Sequence, residues 1–183
     1  MRSLLLTGLL LIAFGSAFGQ SERRTVIDPE GTADFVETKG RNHAKLVFTT
    51  KRFEPSRHRI RQSKTCVMID GRKPLGTDCG LPNVEISSMR LFWNGSEVAI
   101  PRRFYSDCYS PPFFKDYKNR GWMKNYLAIR FSDDARAVFV FLHAGDGAGV
   151  YDVVWTLGRG GNHSRFTNSG GDCSFLNFDC RAN

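Results

Sequence analysis

The segment Val84 to Trp93, with Asn94-Gly95 after it and Glu97 to Ile100 returning, constrains this chain more than any other feature. Met89, Leu91 and Trp93 recur with a period of two, the spacing of a strand with one buried face, and Arg90 falls on the opposite face. Asn-Gly suits the two positive φ angles of a type I′ turn, so the segment reads as a β-hairpin. Asp70-Gly71, after the strand expected over Thr65 to Ile69, repeats the signal.

The same short, β-branched and aromatic segments fill the rest of the body. Strands are expected over Ala44 to Thr50, Arg57 to Arg61, Tyr126 to Phe131, Ala137 to His143 and Val150 to Leu157. In Ala137 to His143, Val138, Val140 and Leu142 point one way and Phe139 and Phe141 the other, which predicts a central strand covered on both faces. Phe104 to Trp122 differs: Pro111-Pro112 and the rings Phe104, Tyr105, Tyr109, Phe113, Phe114, Tyr117 and Trp122 predict a long aromatic loop. The glycine-rich tail from Gly158 shows a single further apolar piece, Phe175 to Phe178. Eight to ten strands with few helices predict an all-β fold, an antiparallel β-sandwich of immunoglobulin-like or jelly-roll type, with a closed β-barrel as the alternative.

The N-terminus reads as an export signal. Met1-Arg2-Ser3 is basic, Leu4 to Phe14 is apolar, and Ala17-Phe18-Gly19 carries small residues where a signal peptidase needs them. Cleavage is expected before Gln20, with cleavage after Ala17 as the alternative. The apolar run is too short to cross a hydrocarbon core, so no membrane span is expected. Residues 1–19 are thus read as a signal peptide, 20–42 as a polar lead-in able to add one edge strand, and 43–183 as the β-sandwich domain, in a secreted, extracellular or periplasmic protein.

Five cysteines, Cys66, Cys79, Cys108, Cys173 and Cys180, would then meet an oxidising compartment. Short loops close most readily, which favours Cys66–Cys79 and Cys173–Cys180 among fifteen possible arrangements. Cys108 is left over, free or available for a disulfide-linked dimer. Asp107 beside it would raise its thiol pKa, which argues against a catalytic nucleophile.

The chain has 26 Lys plus Arg against 18 Asp plus Glu, a formal charge of +8. Its basic residues concentrate at Lys51, Arg52, Arg57, Arg59, Arg61 and Lys64, opposed only by Glu54. On a strand, Arg57, Arg59 and Arg61 would line one face about 7 Å apart, with His58 and Ile60 on the other. Such a row can meet successive anionic groups of a sulfated or uronic polysaccharide or another acidic surface. It can equally be a charged edge strand that resists aggregation.

Other chemistry is thinly represented. Gly145 to Gly149 lacks the Lys-Ser/Thr ending of a phosphate-binding loop, so no nucleotide cofactor is expected, and an exported protein makes nucleic acid an improbable partner. The four histidines, His43, His58, His143 and His163, have no zinc-site spacing, Asp133, Asp134 and Asp146 form no calcium ladder, and no metal is expected. Asp133 and Glu85 could be paired as glycosidase carboxylates only if the fold brought them together. His143, ending a strand, could take Asp146 or Asp152 as a partner. Asn94-Gly95-Ser96 and Asn162-His163-Ser164 match the glycan-acceptor pattern.

These readings rank three functions. The first is a non-catalytic binding module for an anionic glycan or other acidic polymer, using Arg57, Arg59, Arg61 and Lys64. The second is a secreted hydrolase-type enzyme assembled around His143 and Asp146. The third is a structural or partner-binding extracellular protein.

Overall fold

The computed structural model describes residues 23–24, 30–111, 127–145 and 147–169. The leader, Asp146, Cys173, Cys180, Phe175 to Phe178 and the loop aromatics Phe113, Phe114, Tyr117 and Trp122 lie outside the described residues. The chain is all-β, and its described residues form antiparallel sheets of five and four strands packed face to face and a separate two-stranded hairpin. Among the described residues the sheets do not close into a barrel.

The first sheet runs β1 (Arg23–Arg24), β2 (Thr32–Lys39), β3 (Asn42–Arg52), β6 (Val84–Trp93) and β7 (Ser96–Val98) in spatial order. The second runs β11 (His163–Ser169), β10 (Tyr151–Gly158), β9 (Ala137–Ala144) and β8 (Leu127–Phe131). The hairpin pairs β4 (Ile60–Gln62) with β5 (Val67–Ile69). Asn94 and Gly95 have φ of 48° and 84°, and Asp70 and Gly71 have 51° and 79°, the primed-turn geometry expected of both pairs.

Met89, Leu91 and Trp93 are buried between the sheets and Arg90 is exposed, as the alternation requires. Ile86 shares that core although it lies three positions before Met89. A β-bulge reconciles the spacing: the pairing of β3 with β6 shifts between Thr49 and Thr50, and the Ser87 hydroxyl donates to the Thr49 carbonyl at 3.0 Å. Glu85 is thereby turned away from the inter-sheet core. Cross-sheet ring contacts, Phe48 with Trp155 (6.1 Å between centroids) and Trp93 with Phe131 (5.1 Å), mark where the layers meet. Each such ring, fully buried, contributes about 1.5–3 kcal/mol by leaving water.

β9 lies between β10 and β8, with Val138, Val140 and Leu142 in the inter-sheet core and Phe141 buried on the far face with Val154. The two-sided strand read from its pattern is therefore real. Other expectations shift. β2 lies in the segment read as lead-in, pairs with β3 from Thr32 to Lys39 and buries Ala33 and Phe35, so the folded body begins well before His43. β11, at His163–Ser169, is a strand the sequence reading did not assign. The strand expected over Arg57 to Arg61 is a correction: Pro55–Arg57 is a one-turn 3-10 helix and β4 starts only at Ile60. Pro55 sets the helical φ of the first turn, and the His58 N–H donates back to the Pro55 carbonyl at 3.1 Å.

Candidate functional site

The basic segment is folded over the end of β3 and β6. Ile60 packs with Phe53, Val67, Ile69 and Tyr109 in a small second core, so the hairpin is anchored by its inner face. The disulfide Cys66–Cys79 ties β5 to the chain that follows, and a bond of this kind belongs to an oxidising compartment. Arg57, Arg59, Arg61 and Lys64 are all exposed.

They do not form the expected row. Arg57 leaves the 3-10 turn and pairs with Glu54 at 2.7 Å. Arg59 stands opposite Asp70, whose N–H donates to its carbonyl at 3.0 Å, and Arg61 stands opposite Met68. By alternation Arg59 and Arg61 share the outer face of the hairpin, and His58 and Ile60 turn inward. Lys64 sits in the bend joining the two strands.

Beneath this face lies a charged cluster that the sequence did not reveal. The His58 side chain, 4% exposed, stacks on Phe53 with centroids 4.6 Å apart. Its Nδ1 is 2.8 Å from Asp70 Oδ2, and its Nε2 is 3.1 Å from Glu85 Oε2 without hydrogen-bond alignment. Glu85 is 4% exposed and lies 2.8 Å from Lys51 Nζ, its cross-strand neighbour. The hydrogen bond from His58 holds the Asp70 carboxyl below the usual carboxylate range, with the Arg59 N–H adding to the effect at 2.9 Å. Burial, with Glu85 and Asp70 nearby, pushes the Tyr109 hydroxyl up. Asp70 was legible only as a turn residue, and nothing in a linear reading could bring Glu85 to His58.

The remaining candidates separate. Asp133 reaches Lys39 at the β8–β9 turn, whereas Glu85 lies under the hairpin, so this pair is not assembled. His143 finds Asp152, directly opposite it across β9 and β10, with Nδ1 2.6 Å from Oδ1. Asp152 is fully buried, and its other oxygen has no hydrogen-bond partner among the described residues. Asp146, the partner proposed beside Asp152, lies outside the described residues. Cys108 is 1% exposed, and burial pushes its thiol up to about 12, with Asp107 adding to the rise as expected. It offers no open route to a partner's thiol in the folded chain.

Among the described residues no helix is long and apolar enough to cross a membrane. Comparison of the chain with family models, curated proteins and solved structures returned no match.

Proposed function

We propose that this chain is a secreted, non-catalytic binding module for an anionic glycan or other acidic polymer, engaged through the outer face of the β4–β5 hairpin. One observation carries the reading: Arg59, Arg61 and Lys64 stand exposed on a hairpin anchored by a core and a disulfide, and their side-chain cations have no carboxylate within 4 Å among the described residues. An anchored scaffold lowers the ordering cost of binding, and guanidinium groups present paired donors to oxyanions. The leader pattern and the disulfide both favour an extracytoplasmic setting, where acidic polysaccharides are the abundant polyanions.

Salt tests the reading, because contacts between exposed charges weaken as the Debye length shortens. The protein is expected to stay on immobilised heparin at physiological ionic strength and to elute only well above it. Replacing Arg57, Arg59 and Arg61 together by serine is expected to move elution to lower salt. Retention unchanged in that variant overturns the proposal.

A further inference from the structure

The basic surface continues beyond the hairpin, through contacts that only the fold creates. Ile69 and Arg72 exchange backbone hydrogen bonds of 2.9 and 3.0 Å across the Asp70-Gly71 turn. The Arg72 side chain leaves that turn and donates to the Arg103 carbonyl at 3.0 Å, docking the one-turn 3-10 helix Arg102–Phe104 against the hairpin. The seam continues as the Leu75 N–H donates to Asp107 at 2.8 Å and the Tyr109 N–H to Leu75 at 2.9 Å. Arg102 is near enough to Asp70 to help lower its carboxyl.

The charges on this joined surface do not balance. Arg59, Arg61, Arg72, Lys73, Arg102 and Arg103 are exposed. The two acids among them are already engaged. Asp70 takes His58 and the Arg59 N–H, and Asp107 takes a two-pronged contact from Arg165, with Arg72 3.8 Å away. The side-chain cations of Arg59, Arg61, Lys73, Arg102 and Arg103 have no carboxylate within 4 Å among the described residues, the Asp70 carboxylate meeting Arg59 only at its backbone N–H. Cations held together without acids repel one another, and a polyanion relieves that repulsion.

We infer that the anion-binding face is composite, running from Arg59 and Arg61 on the hairpin onto Arg102 and Arg103 of the 3-10 helix, and that its ligand class is a sulfated polysaccharide. The inference rests on the binding reading above. Arginine dominates the patch, and its planar fork matches an oxyanion better than a lysine ammonium does. Strand neighbours two apart stand about 7 Å from each other. That spacing is denser than the charge of a polymer bearing a single carboxylate per disaccharide. Single-stranded nucleic acid binds by stacking bases on open rings. The ring at this patch, Phe104, is instead covered by Arg103 (5.2 Å to the centroid) and met by His163 (5.9 Å), and Tyr105 and Tyr109 are buried.

The test compares the full secreted chain with R102S/R103S, R59S/R61S and R41S/R159S by affinity for soluble heparin across a salt series. Arg41 and Arg159 are exposed on the β2–β3 and β10–β11 turns, so the last variant matches the charge loss elsewhere. For R102S/R103S the slope of log affinity against log salt is expected to fall by about 1.5, as two lost counterion-releasing contacts require, while R41S/R159S keeps the wild-type slope. Hyaluronan and single-stranded DNA are expected to bind much more weakly than heparin. A slope for R102S/R103S equal to the R41S/R159S control, or hyaluronan or DNA binding as tight as heparin, overturns the inference. If R59S/R61S also matches the control, the binding reading itself falls. Thermal melts by circular dichroism check folding, and R102Q/R103Q, which keeps side-chain length, replaces the serine variant if that one melts early.

Discussion

At the scale of single residues, Asp70 links the turn, the buried imidazole and the exposed arginines. It forms the turn that follows β5 through a positive φ, receives the Arg59 N–H and meets His58. Its carboxyl is held low in the folded chain, so the native state prefers it ionised. The stabilisation this provides is complete above the unfolded aspartate value of about 3.9 and is lost as pH falls through the lower folded value. The melting-temperature gap between wild type and D70N, present at about pH 5, is therefore expected to close as the pH drops below about 4. A gap that persists unchanged down to pH 2 would show that the carboxylate is not what the fold uses.

At the scale of elements, the loop from β5 to β6 is the part most tightly specified by backbone approach. Gly76 has φ of +86°, and a Cβ there would lie 2.2 Å from the Tyr109 carbonyl oxygen and 2.8 Å from the Tyr151 ring. Tyr109 also receives the Tyr151 hydroxyl hydrogen bond at its carbonyl, at 3.1 Å, so that group has little freedom to retreat. G76A combines left-handed strain with overlap on fixed backbone and is expected to lower unfolding free energy by about 3 kcal/mol in urea titrations. G160A, with open space around it and no positive φ, is expected to change it by less than about 0.5 kcal/mol. Equal effects in the two variants would refute the close-approach account. The contrast also explains why element identity was more legible than element boundaries. Asn94-Gly95 and Asp70-Gly71 declare their turns locally, whereas Arg57 to Arg61 alternates correctly and still begins with a helical turn, because Pro55 acts before the alternation does. β11 hid for the opposite reason. His163–Ser169 is mostly polar and becomes a strand by pairing with β10 over its whole length.

At the scale of the whole molecule, the segment 101–110 fastens the two sheets and the hairpin into one body. The Phe104 carbonyl accepts from Trp155 Nε1 at 2.7 Å and from Arg165, while Cys108 and Tyr105 enter the core shared by both sheets. The Cys108 thiol is enclosed there and raised to about 12, so thiolate is scarce and reagents reach it only when the sheets part. Alkylation of the Cys108 peptide by iodoacetamide, followed by mass spectrometry, is expected to rise with urea at the same midpoint as loss of the β signal in circular dichroism. Rapid labelling in the absence of urea would mean that this segment opens independently.

What the amino-acid sequence determined by itself was local: period-two burial along Val84 to Trp93 and Ala137 to His143, two primed turns, and the short-loop bridge from Cys66 to Cys79. Each depends on interactions among residues close in the chain, so a linear reading reaches it. The tertiary structure alone decided that His58 would lie between Asp70 and Glu85, that His143 would face Asp152, and that Arg102 and Arg103 would extend the surface begun by Arg59. Those neighbours come from strand register, a bulge at Ser87 and a docked loop. Such contacts form only when distant segments share one core, and no spacing along the chain encodes them.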